Sequence, residues 1–356
     1  MERGCVMSLE FLERLSNADA IAANEQEVRN VMIDELESYA DSIEYDGLGS
    51  IIFKKIGNVE GPKIMICAHM DEVGFIVRNI TDHGQIILMP VGGVKPLAQM
   101  MQKVRITTDT GKKIDGIIQA KYLNDAADEA YVDIGAQTRE DVLSLGIEIG
   151  NMVTFSSEFE RINLDNLIIG KAFDDRLGCY VMGELLKRLN DMKHPNTIYF
   201  VATSSEEVGI RGAKTASYKI DPHVVFPIDV ACFNDEFITD YRNKRQIGHG
   251  MIQTNFDRTL SPNKKLISFI RESALNAKKN LQLDMFNKGG TDGGEAHKCR
   301  EGKPTAVSCI PVRYGHCAYS IANYRDIQDT IDIFINIIKN FDQEKYKEVI
   351  NFGRMK

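Results

Sequence analysis

Apolar residues along this chain follow two alternating rhythms, one helical and one strand-like. Across residues 9–36, Leu9, Leu12 and Leu15, and then Val28, Val31, Met32 and Leu36, recur at helical spacing and predict two helices. Asn24, with Glu27 three residues on, fits a capping box opening the second. Residues 51–53 and 64–68 read as strands, and the run Ile64-Met65-Ile66-Cys67-Ala68 is apolar throughout, as a strand covered on both faces must be. Between 73 and 155, short strand-like runs at 73–80, 85–90, 102–108, 113–120 and 131–134 are separated by turn signals, which predicts a small β-barrel or sandwich. Beyond 169, helical patterns at 177–189, 264–277 and 327–338 alternate with strands at 197–202, 224–228 and 305–310. The expected fold is therefore α/β: a mixed sheet flanked by helices, built from 1–72 and 165–356, with a β-barrel domain inserted at 73–164.

Composition removes several functions. The 356 residues suffice for two domains, each with a core of its own. Lys and Arg number 43 against 51 Asp and Glu, a net charge of −8 with no long run of one sign, so nucleic acid is not expected as a partner. No apolar run approaches the ~18 residues of a membrane span. Met1-Glu2-Arg3-Gly4-Cys5 lacks the basic and greasy regions of a secretory signal, and the seven cysteines are scattered without a C-x-x-C pair. A cytoplasmic protein with reduced thiols is the expectation.

The chemistry concentrates where strands end. The run 64–68 leads straight into His69-Met70-Asp71-Glu72. Phe173-Asp174-Asp175-Arg176 precedes a helix, Glu206-Glu207 follows the strand at 197–202, Asp229 follows 224–228, and His316 lies beyond 305–310. In an open α/β sheet, ligands bind beyond the carboxyl ends of the strands, so these segments converge on one site. Two imidazoles and several carboxylates without a thiolate suit Zn, Co, Mn or Ni. Two ions sharing a carboxylate at about 3.5 to 4 Å form a co-catalytic hydrolase centre, with a position left open on each. Adjacent carboxylates such as Glu206 and Glu207 point to opposite sides of an extended segment, so one can ligate while the other acts as general base. The i, i+2 spacing of His69 and Asp71 lets that carboxylate accept the ring N–H. Such a site has room for a substrate ammonium and none for a substrate carboxylate beside the ions.

The series His69-Met70-Asp71-Glu72-Val73-Gly74-Phe75, Ala172-Phe173-Asp174-Asp175-Arg176, Glu206-Glu207-Val208-Gly209, Gly290-Thr291-Asp292 and Pro311-Val312-Arg313-Tyr314-Gly315-His316 resembles the motifs of the tetrahedral aminopeptidases. These are dinuclear metallopeptidases of the glutamyl aminopeptidase family, which includes FrvX-like proteins and chains once labelled endoglucanases. The resemblance runs in order over nearly the whole chain. It implies that His69 and Asp229 hold one ion, Glu207 and His316 the other, and that Asp174 bridges them. It further implies Glu206 as general base, Asp71 as the residue orienting His69, and a cis peptide after Asp174. The implied cofactors are two divalent ions per subunit, Zn or Co foremost and Mn or Ni as alternatives. The implied substrate is a short peptide with a free N-terminus. The implied partner is the chain itself, dimerising through the barrel and assembling into a hollow dodecamer. After His316 the family continues with Ser-Pro and a Glu, whereas this chain reads Cys317-Ala318-Tyr319-Ser320-Ile321-Ala322-Asn323, a departure at the expected wall of the specificity pocket.

Two other functions fit part of this pattern: an inactive self-assembling scaffold, and a co-catalytic hydrolase acting on acylated amines or as a carboxypeptidase. A glycosidase does not, because it needs two carboxylates flanking a sugar instead of a His-containing metal cluster. His83, His194, His223, His249 and His297 have no comparable context and are expected at the surface or in the core. Cys67 and Cys317 are expected as small core residues.

Overall fold

The computed structural model describes residues 9–124, 126–233, 245–286 and 288–353; Met1 to Cys5, read above for a secretory signal, lie outside them. Lys63–His69 runs through the middle of an eleven-stranded mixed sheet, parallel to Thr197–Thr203 on one side and Val224–Phe233 on the other. Ser308–Arg313 continues the parallel set beyond Val224–Phe233. Antiparallel strands extend both edges, among them Ile51–Ile56 beside Thr197–Thr203 and Ser320–Asn323 beside Ser308–Arg313. The unbroken apolar run has the predicted cause: Ile64, Ile66 and Ala68 enter the core on one face, Met65 and Cys67 that on the other. On the first face the helix Phe173–Leu189 packs across Lys63–His69 and Val224–Phe233, with Leu177, Tyr180 and Val181 fully buried. Arg211–Ile220 covers the second.

The insert is a closed barrel of six antiparallel strands, Gly74–Ile80, Ile86–Val91, Ala126–Asp133, Lys113–Leu123, Gln102–Thr107 and Met152–Phe155, the last closing on the first. Sequence patterning predicted five of them. Met152–Phe155 has only four residues, all buried, so it shows no alternation. Phe75 and Phe155 meet edge to face inside the barrel, ring centres 5.9 Å apart.

Four local expectations change. The helix Gln26–Leu36 is preceded by Glu25 as its cap residue, and no Asn24 capping box forms, because Glu27 instead accepts the Asp19 N–H. The predicted strand at 305–310 forms at Ser308–Arg313. The helix read from 177 begins at Phe173 and carries non-helical backbone at Asp174 and Asp175, whose peptide bond is cis. The strand read at 224–228 continues to Phe233, which places Asp229 within it.

The two parts are tied together by a buried carboxylate. Asp19, ahead of the helix Gln26–Leu36, meets Lys171 at 2.9 Å and the barrel residues Lys113 at 2.7 Å, Arg105 at 3.3 Å and Thr154 at 2.9 Å. No helix of the described residues is long and apolar enough to cross a membrane.

Candidate active site

Parallel register delivers the predicted residues to one edge. His69 ends its strand beside Thr203, and Glu206 and Glu207 follow three and four residues on. Pro227 pairs with Cys67, so Asp229 lies level with His69 although its own strand runs on. His316 follows three residues after Arg313.

Two clusters of potential ligand atoms result, each with atoms within 4.8 Å of one another: His69, Asp174 and Asp229, and Asp174, Glu207 and His316. Asp174 belongs to both. His69 Nε2 lies 3.1 Å from its Oδ1 and His316 Nε2 lies 3.2 Å from its Oδ2. Glu207 Oε1 is buried without a hydrogen-bond partner, and His316 Nε2 approaches it only to 3.4 Å. An orphaned carboxylate oxygen beside an imidazole is a donor set that fits a divalent cation. All seven site residues named from the sequence therefore gather here, with Glu206 Oε2 4.0 Å from His69 Nε2.

Asp71 sits differently from expectation. The His69 Nδ1 contact is its backbone carbonyl at 2.8 Å, while its carboxylate is 3.7 Å away. That carboxylate accepts the backbone N–H of Glu206 at 2.9 Å and of Glu207 at 3.1 Å, fixing the turn that carries both. Asp175, which sequence reading left without a role, accepts the backbone N–H groups of His69 and Gly178. A β-carbon at position 178 would stand 2.6 Å from that carboxylate, so this close approach requires glycine.

Charge in the site is unbalanced. Burial lifts Glu207 to about 7 against the pull of His316, and burial lifts Glu206 and Asp229 well above the carboxylate range. Asp174 is also buried, but hydrogen bonds from His316 and His69 outweigh burial and hold it low. His316 rises to about 9 because Glu207 and Asp174 overcome its desolvation. Asp292, buried and bonded to the Thr203 hydroxyl at 2.6 Å, is raised to about 6. Burial and mutual repulsion thus penalise the ionised form of these carboxylates, a penalty that bound cations would relieve.

The site opens into a cavity of about 590 Å³. Away from the carboxylates, the charged lining among the described residues is basic: Lys95, Arg245 and Lys288. Arg245 also pairs with Asp284. Of the divergent segment 317–323, Cys317 and Ser320 line a smaller pocket beside Asp174, Glu207 and His316, while Ala318 packs into the barrel core and Ser320–Asn323 joins the main sheet. The wall of the larger cavity includes Gly93 and Lys95 from the barrel loop and Phe286, Lys288, Gly290 and Thr291. His83 and His249 are exposed, and His194 is buried on Asn196 at 2.9 Å. His223 accepts from Lys63 N–H, and His297 bonds the Gly293 carbonyl, so all five remain apart from the site. Cys67 is buried, and Cys317 is half-buried against the barrel core.

A family model described as M42 glutamyl aminopeptidase matches residues 49–333. The chain belongs to this family. Within M42, it is 32% identical to the glutamyl aminopeptidase of Lactococcus lactis over 96% of this chain and 98% of that one. It is 31% identical to the lysyl aminopeptidase of Pyrococcus furiosus over 91% of this chain and 94% of that one. The TET aminopeptidase of the marine sediment archaeon Thaumarchaeota archaeon SCGC AB-539-E09 has the same fold, with a TM-score of 0.92 at 33% identity, covering 96% of this chain and 98% of that one. The chain is thus a peptidase-family hydrolase. Near-equal identity to a glutamyl and a lysyl enzyme leaves substrate preference to its own cavity.

Proposed function

We propose that this protein is a two-metal aminopeptidase that removes N-terminal residues from short peptides. The carrying observation is the pair of ligand clusters that share Asp174. In this reading His69 and Asp229 would hold one ion and Glu207 and His316 the other, with Asp174 available to both. Divalent cations there, Zn or Co by ligand type with Mn or Ni as alternatives, supply Lewis acidity and a water nucleophile at neutral pH.

The chain's own groups do the rest. Glu206, with Oε2 4.0 Å from His69 Nε2 and outside both ligand clusters, would take the proton from the attacking water and pass it to the leaving amine nitrogen. Asp71 holds the Glu206 backbone while its carbonyl fixes the His69 ring. The free α-amine of the substrate is drawn by carboxylate charge. Lys95 and Lys288, with no carboxylate of the described residues in ion-pair reach, favour an acidic N-terminal side chain farther into the cavity. We further propose that the chain works as a cytoplasmic homo-oligomer. The reading is supported by free thiols at Cys67, Cys179 and Cys309 and by the exposed barrel side chains Leu97, Met101 and Ile149.

Aminoacyl-anilides with and without an N-acetyl group, offered to metal-loaded protein, test the assignment. Hydrolysis confined to free amines is expected. Equal rates on both would replace it with an acylated-amine hydrolase, and no hydrolysis would favour a scaffold.

A further inference from the structure

The turn carrying Glu206 and Glu207 is held by two buried carboxylates, and the proposed reaction accounts for one of them, Asp71. The other is Glu25, the cap residue of the helix Gln26–Leu36, whose side chain is 1% exposed. Glu25 makes no side-chain cap bond to its own helix. Its Oε1 reaches across to accept the Ser204 hydroxyl at 2.7 Å and the Ser205 N–H at 3.1 Å, together with the Ala23 N–H at 2.9 Å. Arg29, one turn along the helix, lies 3.6 Å from Oε2.

What it holds is an unfavourable backbone. Ser205 has φ of 59°, in the left-handed region that residues with a β-carbon enter reluctantly. The following N–H groups, of Glu206 and Glu207, pass to Asp71. Three successive peptide N–H groups thus end on carboxylates, and none is shared with a neighbouring strand. If the Ser205 peptide relaxed to a right-handed conformation, the Glu206 side chain would leave its place beside His69.

We propose that Glu25 is a positioning residue for Glu206: it locks the left-handed turn at Ser205 and so sets where the base carboxylate stands. The proposal rests on the aminopeptidase reading for its kinetic consequence. If Glu25 served only as a charge at a helix start, Asp would replace it and Gln would not. If it works by reach, Gln keeps the accepting oxygen in place, and Asp, shorter by one methylene, withdraws it.

Glu25→Asp and Glu25→Gln separate these cases. For Glu25→Asp the expected result is a fall in kcat of about 10-fold or more, with KM within about twofold and metal content unchanged. Amide hydrogen exchange at residues 205–207 in the metal-free protein should be about 10-fold faster in that variant. Glu25→Gln should match wild type in both measurements. Wild-type exchange in Glu25→Asp, or equal losses in the two variants, would overturn the proposal. If wild type cleaves no free-amine substrate, the aminopeptidase reading fails, and the exchange comparison still decides whether Glu25 locks the turn.

Discussion

Asp71 turns its carboxylate away from the His69 ring and onto the backbone of Glu206, 2.9 Å from its N–H. The hydrogen bond at His69 Nδ1 is therefore made to a main-chain carbonyl, which no side-chain substitution removes. Asp71→Asn should lower kcat by about 10-fold or more by loosening the Glu206-Glu207 turn, while metal affinity stays within about threefold. Steady-state kinetics beside a metal titration checks this. Lost metal affinity with kcat intact would return the carboxylate to the service of His69.

Glu206 lies beside both clusters without belonging to either. Glu206→Gln should keep the metal content of wild type and lose about 10²-fold or more in kcat. Elemental analysis of the same preparation used for kinetics makes the comparison direct, and near-normal turnover would remove Glu206 from the proton transfer.

Asp174 is the shared member, so its loss strikes both clusters. Asp174→Ala should lose activity and bind fewer than two ions per chain in equilibrium dialysis. Retention of two ions at wild-type affinity would end its bridging role.

The basic part of the cavity lining predicts selectivity. Lys288→Glu should reduce the preference for N-terminal Glu over N-terminal Lys by about 10-fold or more in kcat/KM, as reversal of one charge within a partly enclosed site implies. Glu- and Lys-anilides assayed in parallel give the ratio. An unchanged ratio would place the substrate side chain elsewhere.

Asp19 gives a stability signature. Burial alone would raise its pKa, yet Lys171 and Lys113 outweigh burial and hold it below the value of about 3.9 expected in the unfolded chain. A depressed acid contributes stability that is present above that value and lost as pH falls toward the folded one. Urea midpoints should therefore drop between about pH 5 and pH 3 more steeply in wild type than in Asp19→Ala. That variant should be less stable at pH 7 by about 1.5 kcal/mol, because it takes one of two carboxylates from the buried Lys171, which keeps Glu72, and from Lys113, which keeps Glu27. Parallel pH curves for the two proteins would show that the ion pairs carry no net stability.

Much of this architecture was legible because burial writes periodicity into the sequence. Ile64 to Ala68 announced a central strand, and ligand-type residues just after strands announced the site. Legibility failed where a residue's role depends on a distant partner. Nothing near Asp229 reveals that its strand outlasts its neighbour, which takes the register with Cys67 to see. Nothing near Glu25 points to Ser204, 179 positions along the chain. Nothing near Lys95 or Lys288 in the sequence shows that the fold sets both on the wall of one cavity. The Asn24 cap failed for a related reason: a good local motif yielded when Glu27 found a better long-range use.

The barrel is more than a platform at the edge of the catalytic sheet. Its 92–95 loop brings the Gly93 carbonyl to 3.0 Å from His316 Nδ1, bonds Lys95 N–H to the His316 carbonyl, and lends Lys95 to the cavity wall. The strands of the large sheet fix His69 and Asp229, while this loop, rooted in a separately closed barrel, forms part of the cavity wall. The seating of His316 and the lining of the cavity are thereby joined in one short segment. A loop grafted between Val91 and Pro96 would therefore have to keep the carbonyl at position 93 and the N–H at position 95, because those two groups seat His316.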